Sequence, residues 1–148
     1  MKRILLAVSL CALVLSGCDT MRGWFGMPTN DKPIVSVTNG QVSVSPDPLE
    51  FPGDRQAVVI VWSLDEAAVN AGFTFAGARK GVKIERQVDG IPKDIAREFD
   101  QDMVIGNGKK YQLRNRNTGA GKYKYSITVV APGGRELPPL DPFIVNDR

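Results

Sequence analysis

Histidine is missing from all 148 residues, and cysteine occurs only at Cys11 and Cys18. Without imidazole there is no Ser-His or Cys-His activation of a nucleophile, no nitrogen ligand for a metal and no side chain that changes charge near neutral pH. A copper, zinc or haem centre would have to be assembled from methionines and carboxylates, so neither a metal site nor a cofactor is expected. Both cysteines lie close to the N-terminus, and the rest of the chain carries no partner for a disulfide. The core must therefore hold by packing, which a chain of this length can support. Long apolar runs are also absent. The longest, residues 4–17, falls short of the ~20 residues a membrane-spanning helix needs. Neither sign of charge dominates: 19 basic residues face 16 acidic ones, and two of the basic ones, Lys2 and Arg3, belong to the leader. A nearly neutral body argues against a nucleic-acid partner.

What is present begins with that leader. Lys2 and Arg3 precede an apolar stretch over residues 4–15, and the small residues Ser16 and Gly17 stand before Cys18. A basic start, a short apolar middle and a small-residue cut site make an export signal. Cys11 is a poorer cut site, because bulky Leu10 stands where a small residue is needed. The run Leu15-Ser16-Gly17-Cys18 resembles the lipobox of bacterial lipoproteins. The resemblance implies that residues 1–17 are a signal peptide, that Cys18 is acylated with diacylglycerol and often a further acyl chain such as palmitate, and that the protein is held on a membrane of the cell envelope facing the periplasm. One chain anchors only marginally, whereas two or more hold firmly at ~0.8 kcal/mol per buried methylene. Asp19 is the residue that favours inner-membrane retention in enteric lipoproteins; other lineages do not follow that rule, so inner and outer membrane both stay open.

Residues 18–32 carry Gly, Pro, Asn and Thr with no apolar period and read as a tether. Met21, Trp24, Phe25 and Met27 within it fit either the lipid interface or a contact with the domain. From residue 33 to 148 the chain reads as strands. Asn39-Gly40 between Ile34, Val35, Val37 and Val42, Val44 is a hairpin signal. Pro46, Pro48 and Pro52 mark an edge segment or a change of sheet. Residues 56–64, apolar on both parities, predict a central strand, and Asp65-Glu66 up to Gly72 a turn or two of helix with Phe73 and Phe75 closing onto the core. Val82 and Ile84 alternate with Lys83 and Glu85 in a half-exposed strand. Ile91, Ile95 and Phe99 recur every fourth residue, as a short helix or an irregular crossover would. Met103, Ile105, Tyr111 and Leu113 flank Gly106-Asn107-Gly108 as a second hairpin. Tyr123, Tyr125, Ile127 and Val129 form a further strand, Pro132-Gly133-Gly134 a turn, and Phe143-Ile144-Val145 a closing strand.

Many short strands and little helix predict an all-β antiparallel β-sandwich, immunoglobulin-like or cupredoxin-like, with a small barrel as the alternative. Trp62 in a central strand with Tyr123 and Tyr125 in a late one resembles the aromatic placement of immunoglobulin-like domains, without their cysteine pair. A cupredoxin-like shape would lack its copper ligands and imply no electron transfer. Residues 56–64, Tyr123-Lys124-Tyr125 and the segment 141–146 are also similar to small exported bacterial proteins, a resemblance that implies no reaction.

Candidate sites are few. Lys110, Arg114 and Arg116 share one parity and Lys122 and Lys124 another, so pairing of their strands would build a basic stripe able to meet an anionic glycan or lipid head group; the plain reading is a solvated face that discourages edge pairing. Asp94, Glu98, Asp100 and Asp102 cluster without the spacing of a calcium loop and read as solvated charge complementing the stripe. Gly119-Ala120-Gly121-Lys122 precedes a strand instead of opening a helix and reads as a hairpin turn. The expectation is a non-enzymatic envelope module for a protein partner, with the alternative of anionic glycan or lipid recognition. Contacts would fall on loops 65–72, 91–102 and 115–121.

Overall fold

The computed structural model describes residues 29–52 and 56–147. Cys18, the leader before it and most of the tether lie outside the described residues. The chain is already docked at Asp31, whose carbonyl accepts from the Val61 amide at 2.9 Å, two residues ahead of the expected domain start.

Strands β1 (Ile34–Thr38) and β2 (Gln41–Ser45) form the predicted hairpin in unbroken register from Ile34↔Ser45 to Thr38↔Gln41. Asn39 and Gly40 both have positive φ, 53° and 74°, the backbone that a two-residue turn matching strand twist requires. The proline-bearing segment then crosses between layers, and β3 (Leu49–Pro52) lies in the other sheet. Both readings of the prolines hold, because β3 is an edge strand as well.

β4 (Val58–Leu64) is central, flanked by β1 in parallel and by β8 (Lys110–Asn115) antiparallel. Its inner side is buried at Ile60, Trp62 and Leu64, but Val59 on the other side is 43% exposed. Apolar residues on both parities thus do not bury both faces here. Helix α1 (Glu66–Asn70) follows, capped by the Asp65 carboxylate, which accepts from the Ala68 amide at 2.7 Å. The short β5 (Thr74–Phe75) buries Phe75, and β6 (Val82–Gly90) runs along the edge of the second sheet with two register shifts.

The fourfold spacing of Ile91, Ile95 and Phe99 yields only one helical turn, α2 (Ile95–Glu98); Phe99 opens β7 (Phe99–Ile105) because it pairs with Asn115 of β8. β9 (Gly121–Ile127) joins β6 and β11 (Phe143–Asp147), while β10 (Val129–Val130) pairs β5. One sheet runs β2-β1-β4-β8-β7 and the other β3-β11-β9-β6. Pairing is antiparallel apart from β1 with β4 and β3 with β11.

This is an all-β sandwich with two short helices, not a closed barrel. The layers meet through Trp62 and Tyr125, with ring centroids 5.6 Å apart, and through Phe99 and Tyr123 at 4.9 Å. Around them Leu49, Phe51, Ile60, Tyr111, Ile127 and Ile144 have essentially no exposed surface. Each large apolar side chain so buried stabilises by roughly 1.5–3 kcal/mol. Among the described residues no helix is long and apolar enough to cross a membrane.

Candidate functional site

Asn115 ends β8 opposite Val58, which begins β4, and opposite Phe99, which begins β7. Gly121 pairs with Gly90 and Asn146 in the other layer. One end of the sandwich therefore gathers loops 91–98 and 116–120. The third expected contact loop, 65–72, follows the opposite end of β4.

At this end the structure buries polar side chains. Glu98 is 2% exposed, Asn115 0%, Asn117 1% and Asn146 1%, although burial of such groups is costly unless every one is hydrogen-bonded. Asp94 caps α2 by accepting from the Ala96 amide at 3.0 Å, and the single turn aims Glu98 inward. Its Oε1 accepts from the Thr118 amide at 2.9 Å and from Asn146 Nδ2 at 3.1 Å, and its Oε2 from the Thr118 hydroxyl at 2.5 Å. Lys93 Nζ donates to that same hydroxyl at 2.9 Å and stands 3.9 Å from Oε2. Asn115 and Asn146 donate to one another across the layers at 2.7 and 3.2 Å. Asn115 Oδ1 also accepts from the Asn117 amide at 2.9 Å, while Asn117 Nδ2 donates to the Pro52 carbonyl at 3.2 Å. Four separated segments are thereby tied at one point.

Beside this network is a cleft of about 430 Å³ lined by Gln87, Val88, Gly90, Pro92, Lys93 and Ile95 among others. Gln87 shapes it: Nε2 donates to the carbonyls of Asp89 and Ile91 at 3.0 and 2.8 Å, and Oε1 accepts from the Lys93 amide at 2.9 Å. The curl leaves Ile91 79% exposed and Val88 41% exposed on its rim. Two apolar side chains thus stand exposed on a loop whose backbone is held by hydrogen bonds.

The acids expected to be solvated are individually employed. Glu98 is corrected outright, being buried. Asp94 is the helix cap, Asp100 takes both Nε and Nη2 of Arg116, and Asp102 accepts from the Arg79 amide at 2.7 Å and the Tyr111 hydroxyl at 3.0 Å. Among the described residues no group of three or more acids or cysteines is placed to hold a metal ion.

The basic residues do not form one stripe. β8 and β9 lie in different sheets, so Lys110 and Arg114 alternate with buried Tyr111 and Leu113 on one outer face, and Lys122 and Lys124 with Tyr123 and Tyr125 on the other. Arg114 stands opposite Asp100 in the register, and Arg116 bonds that carboxylate. Lys124 is 2.8 Å from Asp141, and Lys122 sits 4.4 Å from the Phe143 ring centroid. For the same reason the glycine loop 119–121 is a crossover between layers and not a hairpin turn.

Sequence reasoning missed the buried network, yet parity carried a signal. Asn115 shares the inward parity of Tyr111 and Leu113, and Asn146 that of Ile144. A polar residue in an inward position needs a buried partner, and these two supply one another.

No protein-family model matches the chain, and comparison with curated proteins finds no match.

Proposed function

We propose that this is a lipid-anchored protein of the bacterial envelope whose sandwich is a non-enzymatic module for a protein partner, contacted through the loop end around Ile91 and the Gln87 cleft. The anchor rests on the lipobox-like run ending at Cys18. The observation that carries the contact surface is that loops 91–98 and 116–120, distant in sequence, are locked together by Glu98. A preorganised surface binds without the entropic cost of ordering its loops, and exposed Ile91 supplies an apolar contact at its rim. The five basic residues do not make one anionic-ligand stripe, since they are split between two faces and Arg116 and Lys124 are ion-paired.

Two measurements test the reading. Metabolic labelling with palmitate should mark the wild type and not a Cys18→Ala variant; label on the variant would remove the anchor. A photo-crosslinking residue at position 91 should capture an envelope protein in intact cells, whereas one at position 70, at the opposite end, should not. Capture from position 70 alone would overturn the proposed surface.

A further inference from the structure

A sandwich of two open sheets has four edge strands, and an unguarded edge is a template for pairing with another strand. Three of the four edges are blunted. β3 has only four residues, follows Pro48 and ends in Pro52. β6 carries Lys83, Glu85, Arg86 and Asp89 and is broken by two register shifts. β7 carries Asp100 and Asp102 and a register shift around Gln101, whose φ is 57°.

Apart from Pro46, which follows its last residue, β2 has none of these devices. Gln41-Val42-Ser43-Val44-Ser45 contains no charge and no proline, and its ladder with β1 is unbroken. The closing pair Thr38↔Gln41 of a two-residue hairpin exchanges both backbone bonds, and hydrogen-bonded pairs then alternate along the ladder. Gln41, Ser43 and Ser45 thus bond to β1, which turns the amides and carbonyls of Val42 and Val44 toward the free edge. Among the described residues no backbone group meets them there.

We infer that β2 is a self-association edge, joining antiparallel to β2 of a second copy about a two-fold axis at Ser43. The sequence is self-complementary in that register. Val42 would exchange both backbone bonds with Val44 of the partner subunit, Gln41 would face Ser45 of the partner subunit, and Ser43 would face Ser43 of the partner subunit. No like charges oppose one another, and all four outward amides and carbonyls of each copy are used. The two five-stranded sheets would become one sheet of ten. This inference is independent of the anchor and of the loop-end surface.

The test is a charge swap at the axis, where a non-hydrogen-bonded pair brings the opposed side chains closest. Ser43 is exposed, so Ser43→Lys and Ser43→Glu leave the core intact, which an unchanged circular-dichroism spectrum and Tm verify. In sedimentation equilibrium of the full chain in mild detergent, the wild type should have dimer mass and each variant alone monomer mass. An equimolar mixture of the two variants should regain dimer mass. A wild type that stays monomeric at the highest attainable concentration overturns the inference, and so do variants that remain dimeric alone, since association would then use another surface.

Discussion

Thr118 binds Glu98 twice, with its backbone amide to one carboxylate oxygen at 2.9 Å and its hydroxyl to the other at 2.5 Å. That double contact is the seam between the two loops of the candidate surface. Glu98→Ala would remove it, leaving the Thr118 amide without its acceptor and Asn146 Nδ2 with only its bond to Asn115. A loss of about 2–4 kcal/mol is expected, read as a fall in the urea midpoint, with faster amide exchange at Thr118. Glu98→Gln, which keeps one acceptor, should lose less than half as much.

Two buried tyrosines make opposite predictions. The Tyr111 hydroxyl donates to Asp102 at 3.0 Å and accepts from the Arg79 amide at 2.9 Å, so Tyr111→Phe should cost about 1–2 kcal/mol. The Tyr123 hydroxyl finds no hydrogen-bond partner among the described residues. Removing an unsatisfied buried hydroxyl should be neutral or stabilising, so Tyr123→Phe should leave the thermal midpoint unchanged or raised.

Burial pushes the Tyr111 and Tyr123 phenols up to about 12 and raises Tyr125 as well. A phenol is neutral when protonated, so the folded state holds these protons more tightly than the unfolded chain, where the ordinary value is about 10. Their contribution to stability is whole below pH ~10 and is lost as pH rises through ~12. Urea midpoints measured across that window should fall, and the Tyr111→Phe and Tyr123→Phe double variant should fall less steeply.

Gly81 packs where a side chain has no room. A β-carbon there would stand 2.6 Å from the Ala76 carbonyl oxygen and 2.7 Å from the Tyr111 ring. Gly81→Ala should therefore cost about 1–3 kcal/mol through overpacking, visible as a lower Tm, while Gly77→Ala, with open space around it, should not.

The strands were legible because alternation reports which side of a strand faces inward, and Trp62, Tyr111, Leu113, Tyr123 and Tyr125 all point where their parity predicts. The Asn39-Gly40 turn was legible because few residues accept positive φ at both positions. Alternation does not report which sheet a strand joins. Lys110 and Lys124 therefore read as neighbours although their strands belong to different layers. Glu98 read as solvated for a related reason: its partners Thr118 and Asn146 lie 20 and 48 residues away, and only the topology brings them to it. The fourfold spacing at Ile91, Ile95 and Phe99 read as a short helix or an irregular crossover, and α2 is such a helix of one turn, ended where Phe99 enters the ladder with β8.

The place of β11 between β3 and β9 also sets an order of assembly. The hairpins β1-β2 and β7-β8 close over short loops and can form as soon as their residues are free. The second sheet cannot, because its middle is supplied by residues 143–147 while β3 was made 95 positions earlier, at Leu49↔Ile144. Closing so long a loop is slow. A chain emerging from its N-terminus would thus have one layer able to form while Leu49, Phe51 and Tyr123 still lack the cover that β11 completes.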